Sequence, residues 1–314
     1  MTPVIQVSGL TKHFPQKGQP PLRAVNEIDF TVQEGEIFGF LGPNGAGKTT
    51  TIRILTGLSR PTAGQVQVLG LDLASDLVRI KKRIGVVPET CNLYDELTAF
   101  DNLIFSMQLY GVPRRERKDR AEELLNRFRL GEKRSVPFAR LSRGMKRALT
   151  IAAALAHCPA LLFLDEPTTG LDVMSARTLR QIIANLRNEG VTVFLTTHYL
   201  EEAERLCNRL AIIVKGKIVA LDTVAGLKAC TPSKVKLEVT LAGADGQVEK
   251  RRLECDHGVE PALQQLLTES EGRSILSIDT LRPSLEDVFV HLTGLSAEVM
   301  LAEKGGKEVK NVNG

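Results

Sequence analysis

The chain contains the run Gly42-Pro43-Asn44-Gly45-Ala46-Gly47-Lys48-Thr49-Thr50, a glycine-spaced segment ending in a lysine and two hydroxyls. Glycines let main-chain N–H groups turn inward around phosphate oxygens, and a helix starting at the same place adds partial positive charge. The pattern predicts that Lys48 bridges β- and γ-phosphates, that Thr49 coordinates Mg2+, and that Thr50 adds a phosphate hydrogen bond. Downstream, four apolar residues, Leu161 to Leu164, deliver adjacent carboxylates, Asp165 and Glu166. Standing alone, such a strand end is more often a turn. Behind a phosphate loop, Asp165 is expected to hold Mg2+ through water and Glu166 to polarise the water that attacks the γ-phosphate.

These side chains need rigid elements beneath them. Glu36 to Leu41 is a short apolar segment leading into the glycines, and Ile52, Leu55 and Leu58 follow at helical spacing, which reads as strand, loop, helix. Ile84–Val87, Leu161–Leu164, Val191–Thr196 and Leu210–Val214 read as buried strands separated by helical patterns, as a largely parallel α/β sheet requires. From Arg114 to Arg129, the residues Ala121, Leu124, Leu125 and Phe128 share one helical face. The basic start of that stretch interleaves with acids and lacks aromatics, so it reads as a solvated face rather than a nucleic-acid patch.

Composition sets outer bounds. With 314 residues, 43% apolar and 25% charged, the chain has ample material for a core and room for one large and one small domain. The longest uncharged stretch, Ala148 to Leu164, has 17 residues and is broken by His157, Cys158 and Pro159, whereas a span needs about 20 apolar residues. The N-terminal residues lack the charged start and apolar run of a secretory signal. Five scattered cysteines without a C-x-x-C pair suggest neither a disulfide framework nor a zinc site. A net charge of +4 does not require a nucleic-acid partner, and none is expected.

Beyond about Leu221 the pattern changes. Val235–Leu241 and Val248–Cys255 alternate around a glycine-rich turn as a hairpin does, followed by a helix near Pro261–Thr268, a strand near Ser274–Ile278 and a helix beginning at Ser284. The division expected is a first domain over 1–225, with a helical subdomain at about 90–160, a small α+β domain over 226–296, and a flexible tail over 297–314.

With these motifs in order, residues 3 to 221 resemble the ATPase subunits of ATP-binding cassette (ABC) transporters. Leu141-Ser142-Arg143-Gly144-Met145, 24 residues before Asp165, is similar to the family's signature motif, usually Leu-Ser-Gly-Gly-Gln. Thr169-Gly170-Leu171-Asp172 is similar to the D-loop, and His198, 33 residues after Asp165, to the switch histidine. Phe14 takes the place of the aromatic that stacks on adenine, and Glu89 stands where the family has the Q-loop glutamine. The resemblance implies a P-loop NTPase core of the ABC ATPase kind, with a mixed sheet, a helical subdomain and a small C-terminal α+β domain. It also implies that two chains sandwich two ATP molecules, with Ser142, Gly144 and Asp172 facing nucleotide across the interface, His198 touching the γ-phosphate and Glu89 ligating Mg2+. Ser142 is equally a good helix N-cap, and His198 equally a packed or capping histidine.

Two departures bear on this expectation. Glu89 puts a carboxylate where the family has an amide, adding negative charge near the phosphates. Arg143 replaces a glycine, and its guanidinium is expected to reach phosphate in trans. The run Leu281 to Phe289, Gly85 to Glu89 and Leu93 to Thr98 resemble the drug-export branch of the daunorubicin-resistance type. That branch implies a separate transmembrane permease, a homodimer or a heterodimer of ABC ATPases, and peripheral attachment at the cytoplasmic face of an inner membrane. Segment Glu89–Thr98 is expected to touch the permease. Two alternatives stand beside this reading: a soluble ABC-type ATPase that remodels ribosomes or nucleic acid, and a slow ATP-binding regulatory subunit.

Overall fold

The computed structural model describes residues 3–230, 235–242, 247–255, 264, 274–281, 283–296 and 298–301. They fall into two units, Met1–Thr223 with Glu298–Gly314, and Val224–Ala297.

The first unit has two sheets. β1 (Ile5–Gln16) and β2 (Gln19–Val32) form an antiparallel hairpin, extended by β4 (Ala63–Val68) and β5 (Leu71–Asp72) in the order β2-β1-β4-β5. The second sheet contains β3 (Ile37–Leu41), β6 (Ile84–Val87), β7 (Leu161–Asp165), β8 (Thr192–Thr197), β9 (Arg209–Val214) and β10 (Lys217–Thr223). Its order is β10-β9-β3-β8-β7-β6. All neighbours run parallel except β10, which returns antiparallel beside β9, so the sheet is mixed. β3, β7 and β8 are buried at every residue, the mark of strands covered on both faces. Phe30 of the first sheet stacks on Phe38, with ring centroids 5.7 Å apart, while Phe40 and Phe163 each lie 5.6 Å from Phe194. These rings fix the two sheets to each other directly beneath the phosphate loop.

Helix α1 (Lys48–Leu55) follows the loop, and α2 (Leu77–Lys81) precedes β6. Between β6 and β7 lie α3 (Ala99–Leu109), α4 (Arg114–Arg127) and α5 (Arg143–Leu155). α6 (Val173–Asn188) and α7 (Leu200–Leu206) flank β8. On α4 the expected face is the buried one: Ala121, Leu124, Leu125 and Phe128 are all inside. Leu58 departs from expectation and is 63% exposed. The helix stops at Leu55 because Gly57 adopts φ 69°, its N–H reaching Ile54 and that of Leu58 reaching Arg53, a left-handed C-terminal cap.

In the second unit, α8 (Val224–Cys230) precedes a three-stranded antiparallel sheet ordered β12-β11-β13, from β11 (Val235–Ala242), β12 (Val248–Cys255) and β13 (Ser274–Leu281). Leu237, Val239 and Leu241 alternate into its core. α9 (Leu285–Thr293) starts at Ser284, whose hydroxyl accepts from the Asp287 N–H while the Asp287 carboxylate accepts from the Ser284 N–H, a capping box. The helix expected near 261–268 lies outside the described residues apart from Gln264. Within the expected tail, α10 (Glu298–Leu301) is a short helix, and 302–314 lie outside the described residues.

Candidate functional site

The site forms where three parallel strands end together. β3 feeds the glycine loop, β7 ends in Asp165, and β8 ends in Thr196 and Thr197 just before His198. The loop is braced by main-chain bonds: the Gly42 N–H donates to Thr197, that of Ala46 to Pro43, and that of Gly216 to Ala46. Gly47 caps α1 at φ 109°, and a Cβ there would stand 2.3 Å from the Ala24 carbonyl oxygen, so no other residue fits. α1 then presents Lys48, Thr49 and Thr50 in its first turn, where N–H groups have no partner within the helix.

Lys48 is 4% exposed and folds back over the loop, donating to the carbonyl oxygens of Gly42 at 2.6 Å and Pro43 at 3.1 Å. Its ammonium also lies 3.2 Å from Glu166 Oε1. The other carboxylate oxygen, Oε2, accepts from His198 Nδ1 at 2.8 Å and from the Thr169 hydroxyl at 3.0 Å. Because an ionised carboxylate only accepts, His198 carries its proton on Nδ1, leaving Nε2 for another partner. Burial pushes the Glu166 carboxyl up, but the His198 hydrogen bond and the Lys48 charge outweigh it and hold it at about 2. The Glu166 backbone sits at φ 47°, a left-handed conformation costly for a residue with a side chain.

Asp165 behaves in the opposite sense. Burial raises its carboxyl, and the negative charges of Glu166 and Glu89 add to that, against hydrogen bonds from Thr196 and Thr49. Oδ1 accepts from Thr196 at 2.5 Å and from the Thr49 hydroxyl at 3.4 Å. Among the described residues no three His, Cys, Asp or Glu side chains converge into a metal cage. Mg2+ does not need one, since it keeps several waters and takes one or two protein oxygens beside substrate phosphates. A hydroxyl and a carboxylate side by side, with further acidic charge nearby, are a hard-oxygen set of that kind. Glu89 is exposed at the end of the segment after β6, near enough for its charge to act on Asp165.

The signature residues lie apart from this cluster. Ser142 caps α5, accepting from the Met145 N–H at 3.3 Å, and Asp172 caps α6, accepting from the Ser175 N–H at 2.9 Å. Gly144 lies where the two helix starts meet: a Cβ there would come 2.5 Å from Ser175 Oγ. Arg143 donates to the Gly170 carbonyl oxygen of its own chain at 2.7 Å. Phe14 is 40% exposed on β1, with the Lys12 ammonium 5.1 Å from its ring centroid.

Two buried charges escaped the sequence reading. Arg147, one turn into α5, is 4% exposed and donates to the carbonyl oxygens of Asp165, Glu166 and Pro167. The one signal was a basic residue breaking an otherwise apolar helical face. Glu202 on α7 is buried, accepts from the Thr168 hydroxyl at 2.8 Å, and has its carboxyl raised by burial.

The family described as ABC transporter matches residues 25–169. A fluoroquinolones export ATP-binding protein of Mycobacterium tuberculosis is 40% identical, over 93% of this chain and 94% of the relative. The daunorubicin/doxorubicin resistance ATP-binding protein DrrA of Streptomyces peucetius is 36% identical over 98% of each chain. Among solved structures, the dimeric post-hydrolysis state of the ATP-binding cassette MJ0796 bound to ADP and Pi superposes with a TM-score of 0.64. That match has 27% identity and covers 70% of this chain and 98% of that one. With the P-loop α/β fold, the shared strand ends and relatives of nearly equal length, this chain belongs to the ABC transporter ATP-binding proteins and is an ATPase subunit of that family.

Proposed function

We propose that this chain binds MgATP along residues 42–50, hydrolyses it with water activated by Glu166, and powers export through a separate transmembrane permease. ATP chemistry is assigned to residues 1–225, with the helical segment at about 90–160, and an accessory role to 226–296. The cargo belongs to the class of drugs, lipids or polymers. Support comes from relatives named for export of fluoroquinolones and for daunorubicin/doxorubicin resistance. Such relatives do not favour the ribosome- or nucleic-acid-remodelling alternative. Among the described residues no helix is long and apolar enough to cross a membrane, which suits a chain attached peripherally to its permease.

The single observation that carries the mechanism is the Lys48–Glu166–His198 arrangement. Before substrate arrives, the carboxylate is held by a lysine on one oxygen and a histidine on the other, and it is too weak a base to take a proton from water. A triphosphate offers Lys48 a denser negative charge. As the ammonium moves from Glu166 to the β- and γ-phosphates, one cation leaves the carboxylate and its basicity rises where the attacking water sits. His198 holds Oε2 through Nδ1 and turns Nε2 toward the γ-phosphate. Thr49 and Asp165 would hold Mg2+, which would supply neutralisation of the phosphate charge. Phe14 stacks on adenine, Glu89 reports the state of the γ-phosphate to segment 89–98, and Ser142, Gly144 and Asp172 face the nucleotide held by a second subunit.

Glu166→Gln tests this directly. Turnover by phosphate release is expected to fall at least about 100-fold with MgATP affinity by calorimetry kept within about threefold. Unchanged turnover, or no magnesium-dependent binding by the unaltered chain, defeats the reading. The permease contact is tested by reversing the charge of Asp95 or Glu96. Intact co-purification and transport would remove segment 89–98 from the interface.

A further inference from the structure

Arg147 occupies an unusual place for a guanidinium. It projects from α5, the helix that Ser142 begins, into the gap between the ends of the neighbouring parallel strands β6 and β7. Nε donates to the Pro167 carbonyl oxygen at 2.9 Å, and Nη2 donates to those of Asp165 at 2.7 Å and Glu166 at 3.1 Å. Nη1 donates to the carbonyl oxygens of Glu89 at 3.2 Å and Pro88. These five bonds equal the five N–H donors that arginine possesses. All five acceptors are main chain, so the side chain reads the path of two backbones rather than any residue's identity. The guanidinium also lies against the Cys91 side chain and is depressed by burial, yet arginine remains charged.

Three of the anchored residues, Asp165, Glu166 and Glu89, carry the site's carboxylates. Glu166 stays at φ 47° because its N–H is tied to the Thr196 carbonyl and hydroxyl oxygens, both at 3.1 Å, while its C=O is tied to Arg147. Glu89 is fixed by its carbonyl to the same guanidinium. A rigid helix start, the proposed base and the acidic residue near Asp165 therefore share one fastening.

We propose that Arg147 is a positioning residue for hydrolysis: it locks the Glu166 peptide in its left-handed turn and transmits the position of α5 to Glu166 and Glu89. It touches no substrate and acts through those two residues. The inference rests on Glu166 serving as the base. Lysine retains charge at this place but has three donors radiating from one point and cannot span the five acceptors.

The test uses the full chain with Arg147→Lys and Arg147→Met, each alone and combined with Glu166→Gln. Arg147→Lys is expected to lower kcat for MgATP about tenfold or more while KM and calorimetric affinity stay within about threefold. In the Glu166→Gln background it is expected to lower the residual rate no further, because the two residues act as one unit. Unchanged kcat in both variants overturns the proposal, as does a multiplicative loss in the double variant. If Arg147→Lys fails to fold, or loses affinity in step with kcat, Arg147 is a structural residue and the proposal also fails. Glu166→Gln measured by itself reports separately on the base, so failure of that reading is distinguishable from failure of this one.

Discussion

The two ends of the site are built differently. Around Glu166 the charged side chains and His198 are buried and tied to one another or to their neighbours: Lys48 to two carbonyls and a carboxylate, Asp165 to two hydroxyls, His198 to Glu166. Around Ser142 the residues are exposed, and what holds them is local, a helix cap at Ser142, another at Asp172, and one bond from Arg143 to Gly170. The first end is preorganised within one chain, with its electrostatics set before substrate arrives. The second is a presented surface whose geometry is ready but whose polar groups face solvent, as suits contact with a second subunit. In the proposed function, the chemistry and its licensing divide between an interior and an exterior.

That contrast can be broken or sharpened by substitution. The largest effect is expected from Lys48→Ala, which removes the cation of the interior end. Affinity for MgATP should fall about 10- to 100-fold by calorimetry, the worth of one or two charge-assisted hydrogen bonds. An unchanged affinity would mean that the loop backbone alone binds phosphate. Next comes acid stability. The Glu166 carboxyl is depressed from 4.5 to about 2, so its stabilisation is present above about pH 4.5 and is lost as pH falls from there to 2. Lys48→Ala should move that loss to higher pH in urea melts, whereas no such movement is expected for substitutions at Ser142. The smallest effects belong to the exposed end. Ser142→Ala should cost about 1 kcal/mol as a lost cap, and Arg143→Gly less than about 0.5 kcal/mol, both by thermal melting. If Arg143→Gly also leaves turnover and ATP-driven dimerisation untouched, the arginine does no more than tether Gly170.

What could be seen in the sequence followed from how local its cause was. The phosphate loop, the Asp165–Glu166 pair and His198 were legible because each depends on a few adjacent residues at a strand end. The helix start at Ser284 was legible for the same reason. The first sheet was not: β1 carries register shifts against β2 at several points, which scrambles the alternation that identifies a strand. Arg147 was invisible because its partners are carbonyls of residues 18 to 59 positions away, and backbone acceptors leave no mark on residue type. The bond from Arg143 to Gly170 left no mark either, since a carbonyl 27 positions away is not written in residue type.

The left-handed turn at Glu166 has a consequence for durability. A residue with a side chain in that conformation costs roughly 1 kcal/mol relative to glycine, so the carboxylate proposed as the base sits on a peptide that glycine would hold with less strain. Selection for sturdiness alone would favour glycine there. A paralogue that no longer needed turnover could drift to that replacement and become hardier as it fell silent, which makes retention of glutamate at 166 a mark of continuing work.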